Sequence, residues 1–321
     1  MMNRVLGAAC LTTLAAACNA GTDMPPSAQT DSAVSVEMSL PANIVAERGG
    51  FIPEGIEYDA TNRRILTGSL SEGSIFQIHP DGRVTTVVSD PDLVSSVGIE
   101  VDAQRNRLLV ANSDRAVFEG VGTGQAMLGV YDLSTGDRIE MIDLASTIEG
   151  APADMRHFAN DVAVAADGTA YVTDTFAGVI YRVDSDYQAS VFYQPDTAEA
   201  LSFNGIVVHP DGYLLVAGGE TLWKVPLDSP DESAPVALPE AVPGQDGMVW
   251  MTNGSLAIVS NSSNRVVALT SSDDWVTAQL AGVAPYETQA TTVAVVGDEL
   301  YVVHPHFADE DPPSVSRVAF Q

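Results

Sequence analysis

The sequence predicts an all-β protein, a six-bladed β-propeller with four-stranded antiparallel blades. Three observations predict it. Short segments of alternating apolar residues flank tight turns, as in Val162 to Val164, Asp167-Gly168 and Ala170 to Thr173, the pattern of a β-hairpin. The hairpin recurs through the chain at steps in the low forties, the length of a propeller blade. No segment carries the 3.6-residue period of an amphipathic helix.

Taken from the N-terminus, Met1 to Ala17 (MMNRVLGAACLTTLAAA) has one basic residue, Arg4, then an apolar run and small residues, the layout of a secretory signal peptide. It ends at Cys18 behind Leu14-Ala15-Ala16-Ala17, which resembles a bacterial lipobox. A thiol at that point accepts a diacylglyceryl group. The expectation is therefore an exported protein, lipid-anchored through Cys18 in the bacterial envelope, at the periplasmic face or the cell surface. Residues 18–41, rich in small and polar side chains with Pro25-Pro26, read as a tether, and 42–321 as the propeller. The only cysteines are Cys10 and Cys18, so the folded part can form no disulfide.

Within the propeller, six positions share one phase: Glu54, Val97, Asn160, Asn204, Asp246 and, approximately, Ala290, each just ahead of a blade's first strand. The steps between them are 43, 63, 44, 42 and 44 residues, and the long step carries an insertion. Third strands are legible at Ser74 to Ile78, Gly129 to Leu133, Val179 to Val183, Thr221 to Val225, Arg265 to Leu269 and Ser316 to Phe320. Since the last of these ends the sequence, the fourth strand of the sixth blade is expected from the N-terminal side, around Val34 to Glu47. Three long connections, Ser113 to Ala126, Asp143 to Arg156 and His304 to Pro313, are expected to shape a pocket at one mouth of the channel. Gly120, Gly122 and Gly124 imitate part of a dinucleotide fingerprint but open no helix, and read as loop flexibility.

Lys plus Arg number 14 against 43 Asp plus Glu, a net charge of −29. Such acidity argues against nucleic acid or an anionic membrane surface as a partner. The further expectations are a small-molecule substrate, a monomeric state and a membrane link through the lipid alone. Four of the six phase-matched residues bear side-chain oxygens and two of those are acidic. A carboxylate pair with amides beside it suits a hard divalent cation, calcium above all. Asn and Asp at strand starts also serve as turns and caps, and it is their common phase that points to a site. His157, three residues ahead of Asn160, is placed as a substrate neighbour; His304 and His306, beside Asp309-Glu310-Asp311, read as a solvated lid.

At these residues the chain resembles the senescence-marker-protein/gluconolactonase (regucalcin-like) family, six-bladed propellers with one divalent cation in the central channel, over about Phe51 to Val303. The resemblance implies Glu54, Asn204 of Asn204-Gly205 and Asp246 of Asp246-Gly247 as metal ligands. It further implies Asp246 as general base and Asn160 of Asn160-Asp161 beside the substrate. Where the family's enzymes often follow the first Glu with Gly-Pro and a Trp, this chain has Gly55-Ile56-Glu57-Tyr58. The arginines that touch sugar substrates in that family have no counterpart here. The resemblance thus implies a metal-dependent lactonase or esterase, and it carries the metal further than the sugar.

The chemistry expected is hydrolysis of a small lactone or ester, the cation polarising the carbonyl and a carboxylate activating water. No Gly-x-Ser-x-Gly elbow is present to suggest a serine hydrolase. The alternatives are a non-catalytic lipoprotein that binds a ligand or protein at its acidic mouth, and a purely structural calcium. The fold alone does not choose between them.

Overall fold

The alternating hairpins of the sequence assemble, in the computed structural model, into six antiparallel sheets arranged as the blades of a ring. The structure describes residues 40–195, 201–307 and 311–321. The expected signal segment, Cys18 and all but the last two tether residues therefore lie outside the described residues. The innermost strands of blades 1 to 6 are Ile56–Asp59, Ser95–Asp102, His157–Val164, Phe203–His209, Gln245–Trp250 and Val293–Val296. Each blade then runs outward by antiparallel pairing, the geometry that short turns such as Asp167-Gly168 permit. No α-helix occurs among the described residues; the only helical turns are five short 3-10 segments set in connections.

The ring closes on itself. Asn43–Val45 pairs antiparallel with the third strand of blade 6, Ser314–Val318, in the register Asn43↔Ser316, Ile44↔Val315 and Val45↔Ser314. The closing strand falls within the span expected from sequence, although the third strand itself starts two residues earlier than the pattern suggested. Closure removes the open edges that a chain of separate hairpins would leave.

Packing follows the ring. Side chains on facing sheets form six apolar clusters, each bridging two neighbouring blades, so every interface is sealed by its own core. The cluster of Ile44, Phe51, Ile56, Phe76, Tyr301 and Val315 joins the last blade to the first. Burial of this kind, at roughly 25 cal/mol per Å² of apolar surface, is the main force holding the blades edge to edge.

One feature of the inner strands decides where the site lies. In blades 2 to 5 the pairing with the second strand skips a residue at the same place: Ser96↔Asn112 gives way to Ile99↔Val110, and Ala159↔Asp174 to Val162↔Val172. Blades 4 and 5 repeat it, from Phe203↔Gly218 to Ile206↔Val216 and from Gln245↔Ser260 to Met248↔Ile258. One extra residue on the inner strand is a β-bulge, which bends the strand and re-aims its side chains. Val97, Asn160, Asn204 and Asp246 therefore sit inside their strands, at the bulges, and not ahead of them as the sequence pattern suggested. Only Glu54 and Ala290 precede theirs. The bulges bring adjacent blades very close. A Cβ on Gly98 would lie 2.5 Å from Asp161 Oδ1 and 2.6 Å from the Asn160 carbonyl, so only glycine fits there.

Candidate functional site

Hydroxyls of a neighbouring blade, two at the end of a second strand and one ahead of a first strand, fix the backbone at these positions. Thr173 Oγ1 donates to the Asn204 carbonyl at 2.7 Å, Thr175 Oγ1 to that of Phe203 at 2.7 Å, and Thr291 Oγ1 to that of Glu54 at 2.7 Å. The backbone that carries Glu54 and Asn204 is thus held by the preceding blade in the ring, and the side chains are left to the channel.

Glu54 and Asp246 are both buried, 8% and 7% exposed. Burial, followed by repulsion from Asp246 and then Asp161, pushes the Glu54 carboxyl well above the usual carboxylate range. Asp246 is pushed up to about 7, chiefly by burial, while Asn261 and Asn204 pull it partly back. Asn261 Nδ2 donates to Asp246 Oδ2 at 2.9 Å, and Gln289 Nε2 in turn donates to Asn261 Oδ1 at 2.6 Å. Asp246 Oδ1 is buried with no hydrogen-bond partner. An orphaned carboxylate oxygen beside a second carboxylate is the donor set that a hard cation would complete. Among the described residues no three His, Cys, Asp or Glu side chains converge as a metal centre. A cation here would therefore depend on amide oxygens such as that of Asn204 in addition to Glu54 and Asp246. The donor chemistry fits calcium.

Asn160, 7% exposed, donates from Nδ2 to Thr175 Oγ1 at 2.8 Å. Its anchor on the second strand matches that of Asp246. Thr175 and Asn261 each follow the last residue of their blade's second strand, Asp174 and Ser260, and each bonds the bulge side chain of its own blade. His157 is engaged elsewhere. Its Nδ1 lies 2.8 Å from Asp174 Oδ2, and the same oxygen accepts from Tyr181 Oη at 3.0 Å. Asp174 also caps the turn that follows, accepting at Oδ1 from the Phe158, Phe176 and Ala177 N–H groups. His157 makes no hydrogen bond to Glu54, Asn204 or Asp246.

Sequence reasoning missed several groups. Asp161 stands where the other bulges have Gly98, Gly205 and Gly247, and its carboxylate accepts from the Val162 and Ile206 N–H groups at 2.9 and 3.2 Å. Burial nevertheless pushes it up to about 7. Beyond it, towards the far end of the channel, a cavity of about 280 Å³ is lined by Glu57, Glu100, Asp161, Met248 and Trp250 among others. Glu57 is pushed up to about 8, by burial and then by Asp161, and Glu100 well above its usual range, by burial and then by Glu57. Tyr286 is a further missed group. Its hydroxyl is buried without a partner, and its pKa is raised by burial and by the Asp246 charge. Glu57 and Glu100 sit on innermost strands, whose polar face is the channel.

His304 is not part of a solvated lid. It ends the second strand of blade 6, is 4% exposed, and bonds Ser316 Oγ at 2.6 Å. A cleft of about 570 Å³ beside it, bordered by Asn43, Tyr286 and Arg317, lies against the closing strand. The glycine loop is likewise more ordered than its composition suggests. Gly124–Gln125 adds a short parallel strand beside His157 and Phe158, and at Gly124 (φ +71°) a Cβ would meet the His157 carbonyl at 2.1 Å.

Comparison with known proteins agrees with this geometry. The description of the SMP-30/Gluconolactonase/LRE-like region matches residues 52–304. Among solved structures the chain is similar to the major allergen Mala s 1 of Malassezia sympodialis, at 19% identity and a TM-score of 0.73, covering 88% of this chain and 97% of that one. It is also similar to a gluconolactonase of Xanthomonas campestris, at 18% identity and a TM-score of 0.58, over 87% and 89% of the two chains. A virginiamycin B lyase of Staphylococcus aureus matches at 12% identity and a TM-score of 0.57, over 85% and 82%. At these identities the likeness establishes the fold. No curated protein matches the chain.

Proposed function

The chain belongs to the SMP-30/gluconolactonase/LRE-like family, and from that premise we propose that it is a divalent-cation-dependent hydrolase of small lactones or esters. The observation that carries the reading is the buried, unpartnered Oδ1 of Asp246 beside the Glu54 carboxylate. Two buried carboxylates that repel one another in a channel with no basic partner are costly unless protonated or bound to a cation. Glu54, Asp246 and Asn204 would hold the ion, with calcium the best match to oxygen donors of this kind. When bound, a divalent cation offsets the carboxylate charge and polarises a carbonyl oxygen.

The chain's own residues supply the rest. Asp246 would take a proton from water as it attacks the carbonyl carbon. Asn261 fixes the Asp246 plane through Oδ2. Asn160 has its N–H group committed to Thr175, so its amide oxygen is the part available to a substrate hydroxyl or ring. We assign His157 to the wall behind the substrate space, where its bond to Asp174 fixes the strand that carries Phe158 and Asn160. The protein is further proposed to act as a monomer from a lipid anchor at Cys18 in the bacterial envelope; recovery of Cys18→Ala in the membrane fraction would contradict the anchor.

Hydrolysis of D-gluconolactone, γ-butyrolactone and phenyl acetate, followed by pH-stat with calcium and after chelation, tests the activity. The reading predicts turnover of at least one of them, lost on chelation and recovered with calcium. Binding of calcium with no turnover of any lactone or ester would instead favour a ligand-binding propeller with a structural ion.

A further inference from the structure

The mouth carries an apolar surface that the hydrolytic groups do not use. Phe118, in the 3-10 turn Arg115–Glu119 of blade 2, is 60% exposed, and Val121 in the same loop is also 60% exposed. Neither is stray. The Phe118 ring packs edge-on against Phe158 at 4.8 Å and against Phe176 at 5.0 Å. Arg156 braces the group, its guanidinium lying 3.9 Å from the centre of the Phe176 ring while Nη2 donates to the Val117 carbonyl at 2.7 Å. Two of the three long connections singled out in the sequence, Ser113 to Ala126 and Asp143 to Arg156, thus meet at this aromatic group.

Its position ties it to the reaction site. Phe176 directly follows Thr175, the residue that holds the Asn160 amide, and Phe158 lies two residues ahead of Asn160 on the same strand. On the other flank Ile52, two residues ahead of Glu54, packs on the same blade 2–3 core. Ile52 has φ +46°, a conformation that a β-branched residue adopts only when its surroundings impose it. An exposed aromatic ring held by two others, next to a polar site, is the architecture of a subsite for an apolar group.

We propose that Phe118 and Phe176 form the subsite for an alkyl or aryl arm of the substrate, so that the ester or lactone this protein takes is a hydrophobic one and not a sugar lactone. The proposal rests on the hydrolase reading for the reacting head; the arm stands on the geometry of the mouth alone. A polyhydroxylated substrate would meet ring faces on this side, where its hydroxyls would lose water without finding donors or acceptors. A neutral alkyl chain loses nothing of that kind, and it is not repelled by a chain of net charge −29. Each methylene laid on the rings is expected to tighten binding about three- to fourfold.

Saturation-transfer NMR on the calcium-loaded full-length protein reads this contact without requiring turnover. The probes are γ-decalactone, γ-butyrolactone and D-gluconolactone, with hydrolysis measured in parallel on wild type, Phe118→Ser and Phe118→Leu. The expected result is strong transfer to the alkyl-chain protons of γ-decalactone, lost in Phe118→Ser and largely kept in Phe118→Leu. In parallel, the kcat/KM ratio for γ-decalactone over γ-butyrolactone should fall about tenfold in Phe118→Ser. Contact to the chain that depends on Phe118, without hydrolysis of any lactone, supports the subsite and removes the hydrolase reading. Hydrolysis of D-gluconolactone with no transfer to the γ-decalactone chain keeps the hydrolase reading and overturns the subsite. Transfer that is unchanged in Phe118→Ser overturns it as well, as would self-association through the exposed ring that Phe118→Ser abolishes while alkyl binding is absent.

Discussion

The two halves of the channel mouth are built from the same repeating unit and finished in opposite ways. On the side of blades 4 to 6, the groups around the bulges are Asn204, Asp246, Asn261 and Gln289, the last three joined by an amide-to-carboxylate and an amide-to-amide bond. On the side of blades 2 and 3, the neighbouring positions supply Phe118, Phe158 and Phe176, joined by ring contacts, with the Arg156 guanidinium over the Phe176 ring. Blade 1 contributes to both, with Glu54 facing Asp246 and Ile52 packed on the apolar core. The bulge sets where a side chain projects, and the residue after the second strand, Thr175 or Asn261, bonds it; in blade 3 the residue after that is the aromatic Phe176. On the proposed reading, such a division orients the substrate, its reacting carbonyl to the carboxylates and its chain to the rings.

The sharpest way to break the division is to damage the polar half and look for effects on the apolar one. Asn261→Ala removes the donor that orients Asp246, and outer partners of this kind are worth about tenfold to a hundredfold in metal affinity. Calcium affinity measured by titration should fall by about that factor, with alkyl-chain contacts retained. If the chain contacts vanish together with the ion, the halves are not independent.

The converse substitution, Phe176→Ala, should lower the preference for long-chain over short-chain lactones by about tenfold while calcium affinity stays within about twofold. A large loss of calcium affinity would show that Thr175 and Asn160 depend on this ring, and the comparison would need redrawing around blade 3.

A smaller effect is expected at the far end of the channel. With its pKa raised to about 8 in the folded state, Glu57 gives up stability as pH rises from its unfolded value, near 4.5, through 8. The sign is that of a group that binds its proton more tightly when folded, so the protein is most stable on the acid side of this window. Glu57→Gln should remove that loss and raise stability at pH 8 by about 1 kcal/mol, discounted for water in the cavity, with no gain at pH 4. Denaturant midpoints at the two pH values check it, and an equal shift at both would mean that packing, not charge, was changed.

Much of the fold and the polar half of the mouth could be read in the sequence, and the parts missed have physical reasons. The third strands Ser74–Ile78 and Val179–Val183 fall where the alternation put them, because both faces of a middle strand are buried and the apolar signal is strong. Closure by Asn43–Val45 was legible because the last blade lacked a strand. The bulges were not, since one additional residue in an alternating strand looks the same as a strand that starts one residue later. Thr175 and Asn261 act only through that hidden register, and each reads locally as an ordinary turn residue. Phe118 read as part of a glycine-rich loop because nothing in one sequence says that Phe158 and Phe176, 40 and 58 positions away, will stack on it.

The central claim is that Glu54, Asn204 and Asp246 converge on one divalent cation at the polar half of the mouth. Calorimetric titration of calcium into metal-free wild type, Asp246→Ala and Asn160→Ala, with circular dichroism to confirm that each keeps the propeller, tests it most directly. The account predicts one bound calcium per chain in wild type and in Asn160→Ala, and no measurable binding in Asp246→Ala. Unaltered calcium binding by a folded Asp246→Ala protein would contradict it.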